Sequence, residues 1–396
     1  MPTARAYGFL IIAVILYLFG NQTQVGWLYA IAALVLGIVL AAWLINRRGL
    51  KGIVANRSIT PVAEEAVEDS EAHITLTLTN PQRTGSSHLS LIETCPLAAP
   101  DSSQCRTRLF IPDFPGRSSV EFTYIVTLDR RGLHTFLPIH LESRTPFGFF
   151  IKPGQLIEPT RTLVYPVVHP LEHLALLDRR HQLELAQNRV GTGYEIMGVR
   201  PYQPGDSPRH IHWRSVARTG QLISKEFADE AHPGLTLIID SFAYPYAPTH
   251  TKHTPFEWAV KCAASLGDYA RVQGYALHLL GDDEALATPT GPLAWDSLMQ
   301  YLAHLQPVGK RPLDQIIGRR ITQQFVAVIL AWPEPAALDS LRSLKQQGIN
   351  VLAVLIDPAS FPTPGPSAES FAATLRAQQI EVRVIQFGSD WARQLS

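Results

Sequence analysis

Residues 235–240 read Leu-Thr-Leu-Ile-Ile-Asp, and residues 351–357 read Val-Leu-Ala-Val-Leu-Ile-Asp. Each is an apolar run without alternation, closed by an acid, as in strands of a parallel sheet buried on both faces. Further apolar runs at 276–281, 325–331 and 382–387 alternate with helical stretches at 256–273, 293–305, 336–347 and 368–378. Strand, helix, strand in this order predicts a doubly wound α/β domain over 234–396.

Upstream the period changes. Residues 191–230 form a polar segment rich in Arg, His, Gly and Pro, and 170–189 read as a helix, so 169–233 is taken as a connecting segment. Before it, 73–79 (HITLTLT) alternates strictly, placing Ile74, Leu76 and Leu78 on one face. Runs at 120–128, 133–142 and 163–165 continue the pattern between Pro, Gly and Asp clusters. Residues 53–168 are therefore expected to form a β-sandwich of immunoglobulin-like type.

The first 52 residues hold two uncharged apolar runs, 6–20 and 25–45, that read as a transmembrane helical hairpin. The intervening Asn-Gln-Thr-Gln is uncharged, whereas Arg5 precedes the first run and Arg47, Arg48 and Lys51 follow the second. The excess of cations at the outer ends predicts that they, and the rest of the chain, face the cytoplasm. Tyr7, Trp27, Tyr29 and Trp43 lie near the helix ends, where amphipathic rings suit the interface. The competing reading makes the first run a secretory signal, but no small-x-small cleavage site follows Gly20.

Composition agrees with a membrane protein. Charged residues are 17% of the 396, below the roughly 25% of soluble domains, and the hydrophobic fraction is 46%. Thirty-four Lys plus Arg balance thirty-four Asp plus Glu, which leaves no bulk charge to hold nucleic acid. Cys95, Cys105 and Cys262 form no C-x-x-C motif and no closed disulfide set, which fits a reducing compartment.

Ligands of open α/β sheets bind outside the carboxyl ends of the strands, so Asp240 and Asp357 are the first candidates. A von Willebrand factor A domain places D-x-S-x-S at the end of its first strand, where a carboxylate and two hydroxyls reach Mg²⁺. Here the positions from Asp240 to Tyr244 put Phe242 and Tyr244 where hydroxyls are needed, and Trp332 and Pro333 follow the 325–331 run where an acid is wanted. Asp240 is read as a degenerate metal site, with no metal and no cofactor expected.

Residues 200–219, RPYQPGDSPRHIHWRSVART, gather Arg200, Arg209, Arg214 and Arg218 around Asp206, with Tyr202 and Trp213 among them. Either Asp206 fastens a Pro-Gly-Asp turn through its arginines, or the guanidiniums present a docking face to an acidic partner. Asp206, His210 and His212 also outline a D-x-x-x-H-x-H metal set, in which a strand would put both histidines on one side, although neighbouring arginines oppose a cation. No Gly-x-Ser-x-Gly elbow, Walker A loop, His-Glu-x-x-His or dinucleotide fingerprint is present.

The run from Gly198 to Thr219, G-x-x-R-x-Y-x-P-G-D-x-x-R-x-I-x-W-R-x-x-A-R-T, resembles the signature of the bacterial family called domain of unknown function 58. Arg131-Gly132, Thr145-Pro146-Phe147-Gly148 and Val164-Tyr165-Pro166 extend the resemblance along the chain. The family commonly has Asp before the tryptophan, where this chain has His212. The resemblance implies a protein anchored in the bacterial inner membrane, with a von Willebrand A-like domain and no established activity. It also implies a MoxR-type AAA+ ATPase and a transglutaminase-like membrane protein as partners. Two functions follow as expectations. The first is a non-catalytic, cytoplasmic-facing adaptor or assembly factor that docks its partner through Arg200, Tyr202, Asp206, Arg209, Trp213, Arg214 and Arg218. The second is a metal-assisted hydrolase using Asp240 with His210 and His212.

Overall fold

The computed structural model describes residues 1–144, 146–174, 177–178, 196–202, 211–227, 234–244, 251–282, 292–317, 321, 323–362 and 365–396. Most of the helix expected over 170–189 lies outside them. The chain divides into two compact units, Met1–Val167 and Val168–Ser396.

The first unit begins with helices α1 (Ala4–Thr23) and α2 (Gly26–Arg48), of 20 and 23 residues. Both are long and apolar enough to cross a membrane by length and composition. The first exceeds its expected span because Ala4 and Arg5 at one end and 21–23 at the other join the helix. Small residues let the pair close, with Ala6, Val39 and Ala42 buried around Phe149.

Nine strands follow: β1 (Val54–Pro61), β2 (Glu71–Asn80), β3 (Ser86–Thr94), β4 (Arg106–Phe114), β5 (Ser118–Thr127), β6 (Gly132–Thr135), β7 (Ile139–Ser143), β8 (Lys152–Leu156) and β9 (Arg161–Val164). They form antiparallel sheets in the orders β1-β2-β5 and β4-β3-β7-β8, with β6-β9 as a separate pair. The alternation in β2 does what its period requires, burying Ile74, Leu76 and Leu78 completely. Leu76 and Leu78 share one core with Leu89 and Leu91 of β3 and Leu141 of β7, so the two larger sheets pack on each other. An ion pair clips the sheets together: Arg57 Nε of β1 donates to Glu93 Oε1 of β3 at 2.6 Å, with both side chains no more than 1% exposed. Arg57 also donates to Thr160 Oγ1 at 3.0 Å and lies 4.2 Å over the Phe136 ring. The single strand expected over 133–142 is two strands, β6 and β7, which belong to different sheets. Pro138, between them, has no N–H to carry a ladder across the switch.

The helix pair is seated on this unit by the stretch 146–152. Gly148 takes a positive φ of 71°, which a side chain would strain, and its carbonyl accepts from Thr3 Oγ1 at 2.9 Å. Thr3 N donates to Phe149 O at 2.8 Å, and Asn46 Nδ2 to Phe150 O at 3.0 Å. Lys152 Nζ donates to Arg47 O and Ser86 Oγ to Gly49 O, each at 2.5 Å. Both outer helix ends are therefore tied to the sheets without a slack linker.

The second unit opens with β10 (Ile196–Pro201) and β11 (Ile223–Phe227), an antiparallel pair enclosing the short helix α3 (Trp213–Thr219). Then come β12 (Gly234–Ile239), α4 (Pro255–Val272), β13 (Ala276–Leu280), α5 (Trp295–His304), α6 (Leu313–Ile317), β14 (Phe325–Leu330), α7 (Ala336–Gln346), β15 (Asn350–Ile356), α8 (Glu369–Ala377), β16 (Glu381–Ile385) and α9 (Trp391–Leu395). The sheet is parallel throughout, in the order β13-β12-β14-β15-β16. On one face Ile238, Val328 and Leu355 pack with Ile316 of α6, Leu341 of α7 and Phe371 of α8. The opposite face, including Leu237, is covered by α4, whose Gly267 leaves room for a close approach. Thr254 caps α4 by accepting from Glu257 N at 3.2 Å, and Pro255 occupies the first turn, where its missing N–H is harmless.

Candidate functional site

From β12 the chain crosses to β13 on one side and returns to β14 on the other, so the order of the sheet reverses at β12. A crevice outside the carboxyl ends opens at such a reversal. Asp240 stands there, fully buried, with its N–H on Ile329 O at 3.0 Å. Its Oδ1 accepts from Phe242 N at 3.1 Å and its Oδ2 from the Tyr244 hydroxyl at 2.6 Å. The same hydroxyl lies 3.3 Å from Glu334 Oε2. Its ring stacks on Trp332 at 5.4 Å and meets Phe242 edge-on at 5.2 Å. Glu334 supplies the acid that is absent from Trp332 and Pro333 after β14. It lies four residues beyond the end of β14 and 90 residues from Tyr244 in the chain.

Burial pushes the Asp240 carboxyl up to about 6, the Tyr244 and Phe242 hydrogen bonds hold it lower, and the nearby Glu334 charge adds to the rise. The single Tyr244 hydroxyl proton cannot serve both carboxylates at once. Ser241 Oγ is buried and has no hydrogen-bond partner among the described residues.

The other aspartates at this end of the sheet hold backbone. Asp282, beyond β13, accepts from Lys310 N at 2.9 Å and Arg311 N at 2.5 Å, and also pairs with Arg311 Nε. The same stretch is tied to the loop after β12, where Gly309 N donates to Ser241 O at 2.8 Å. Asp357, a ligand candidate by its place in the sequence, accepts from Ala368 N at 3.0 Å and so positions the start of α8. Asp282 follows an apolar run as Asp240 and Asp357 do, and the same signal identifies it. Among the described residues no group of three or more His, Cys, Asp or Glu is placed to hold a metal ion.

Asp206, Arg209 and His210 lie outside the described residues. Arg200 is on β10, where its backbone pairs with Ser224. Tyr202 N donates to Leu222 O at 3.0 Å. The strand expected to align His210 and His212 is replaced at 212 by the start of a helix. His212 is the N-cap of α3, and its Nδ1 lies 2.6 Å from Ser215 Oγ. The imidazole therefore meets a side-chain hydroxyl of the first turn and makes no capping bond to a backbone N–H. Gly220, in the left-handed conformation, ends the helix by donating to Val216 O at 2.8 Å. Trp213 is 63% exposed, and Arg214 and Arg218 are exposed as well.

Residues 198–360 match the family described as Protein of unknown function DUF58. Through this segment the chain is similar to the DUF58 family. The DUF58 match runs from β10 through β15, so α3 and all four acids at the sheet end fall within it. The uncharacterized protein YeaD of Bacillus subtilis is 26% identical over 140 residues, which is 34% of this chain and 34% of YeaD. The match therefore spans about a third of that relative's length. Two solved structures align weakly. Northeast Structural Genomics Consortium target SoR45 has a TM-score of 0.20 and 14% identity, over 31% of this chain and 95% of that one. A GH20 exo-β-N-acetylglucosaminidase from Vibrio harveyi has a TM-score of 0.22 and 9% identity, over 82% of this chain and 59% of that one. Neither bears on the function of this protein.

Proposed function

We propose that this protein is a membrane-anchored adaptor or assembly factor that works by docking a partner, not by catalysis. The observation that carries this reading is Trp213, a large aromatic left 63% exposed beside exposed Arg214 and Arg218. Tryptophan and arginine dominate the energetics of protein interfaces, and an indole exposed to this degree suits a docking contact. The engagement of both Asp240 oxygens supports binding over metal chemistry at the sheet end. In this proposal the second unit is von Willebrand A-like, the sheets of the first are immunoglobulin-like, and 169–233 is the segment that carries the docking face. The partner is a MoxR-type AAA+ ATPase, with a transglutaminase-like membrane protein in the same assembly.

Affinity purification of the full chain from native membranes tests the proposal. Trp213→Ala and Arg214→Ala are each expected to reduce recovery of the AAA+ ATPase about tenfold or more, with the melting temperature nearly unchanged, since exposed side chains add little to stability. Recovery equal to wild type in both variants would move the docking face elsewhere.

We also place the soluble units on the cytoplasmic side of a bacterial inner membrane, on the strength of Arg5, Arg47 and Lys51 at the outer helix ends. A fluorescent reporter fused after Ser396 should be bright and alkaline phosphatase fused there inactive. The reverse pattern would invert the topology.

A further inference from the structure

We infer that the junction between the helix pair and the sheets holds the headgroup of an anionic phospholipid. A cleft of about 620 Å³ at the carboxyl end of α2 is lined by Trp43, Asn46, Arg47, Lys51, Phe150 and Lys152 among others. Its lining contains three cationic side chains and no carboxylate. None of the three has an ion-pair partner among the described residues. A second cleft, which contains Arg5 and Arg144, differs in this respect, because Arg144 is 3.5 Å from Glu142.

The like charges are held together by the fold. Lys152 Nζ donates to Arg47 O at 2.5 Å, while the Arg47 guanidinium lies 4.7 Å over the Trp43 ring. Burial, and then the charges of Lys51 and Arg47, hold the Lys152 ammonium below the ordinary lysine value, the expected state of a cation cluster without its counter-anion. Asn46 lines the same cleft, is 4% exposed, and keeps Oδ1 without a partner among the described residues. A headgroup that offers both a phosphate and a hydroxyl donor, as phosphatidylglycerol does, matches cations and acceptor together. The position fits as well. With α1 and α2 in a bilayer, the cleft lies at the level of the headgroups, where Trp and Lys/Arg side chains concentrate and each cation contributes to binding acidic lipid.

The inference rests on the helices lying in a membrane, and one experiment separates the two. The purified full chain is floated with vesicles of pure phosphatidylcholine and of phosphatidylcholine mixed with phosphatidylglycerol, and bound lipid is then counted after detergent extraction. Flotation with neither vesicle would remove the membrane reading itself. Flotation with both, and preferential retention of phosphatidylglycerol, is the expected result. Flotation with equal retention of the two lipids would overturn the headgroup site alone.

Lys51→Gln/Lys152→Gln should reduce the preference about tenfold or more. Lys51→Gln alone, at an exposed position, should reduce it partly with unchanged thermal stability. Wild-type preference in both variants would refute the site. Inorganic phosphate added in excess should leave the retained lipid in place; displacement by phosphate alone would identify a free-anion site instead.

Discussion

Replacing Asp240 by asparagine is expected to stabilise the protein at neutral pH, by as much as about 3 kcal/mol, and to flatten its stability between about pH 4 and pH 6. In the unfolded chain this carboxyl ionises at its ordinary value of 3.8, but in the folded protein only at about 6. Below the first value both states are protonated and burial carries no ionic penalty. As pH rises through the second, the folded state must ionise a buried group, and the stability present in acid is lost. Asparagine keeps an acceptor for Phe242 N and turns a donor towards the Tyr244 oxygen, whose hydroxyl is then free to serve Glu334. Urea unfolding of the full chain across this range, read by tryptophan fluorescence, checks the result, since Trp332 stacks on Tyr244. A variant less stable than wild type at neutral pH would mean that the ionised carboxylate is itself a net stabiliser.

Arg57→Met is expected to destabilise the first unit by about 3–5 kcal/mol, because it leaves the Glu93 carboxylate buried without its cation. The lost contacts with Thr160 and the Phe136 ring add to the effect. Arg57→Met/Glu93→Leu should recover most of the loss, as an apolar pair of similar volume removes both desolvated charges. Thermal unfolding of the two variants beside wild type is sufficient. A single variant within about 1 kcal/mol of wild type would show that water reaches the pair.

The elements legible in the sequence are those in which one physical signal acts alone. The unbroken apolar runs of β12, β14 and β15 follow from burial on both faces, and the alternation of β2 from burial on one. β4 is not legible, because its Arg106-Thr-Arg start and internal Pro112 look like loop, although Ile111 and Phe114 are buried. Helices α3, α6 and α9, of five to seven residues, are too short for a 3.6-residue period to register. At the sheet end, Asp240 could be read from its place after β12. Its meeting with Tyr244 and Glu334 could not, because strand order alone brings 240 and 334 together.

The seating of the helix pair on the 146–152 stretch has a mechanical consequence. Hydrogen bonds from Thr3, Asn46 and Lys152 grip both outer helix ends, and only a few residues separate α2 from β1. A flexible tether would absorb a pull on the sheets by uncoiling, whereas this joint passes it on as torque. With α1 and α2 in a bilayer, as proposed above, traction on the first unit would reach the lipid as a change of helix tilt, the action of a stiff lever rather than a leash.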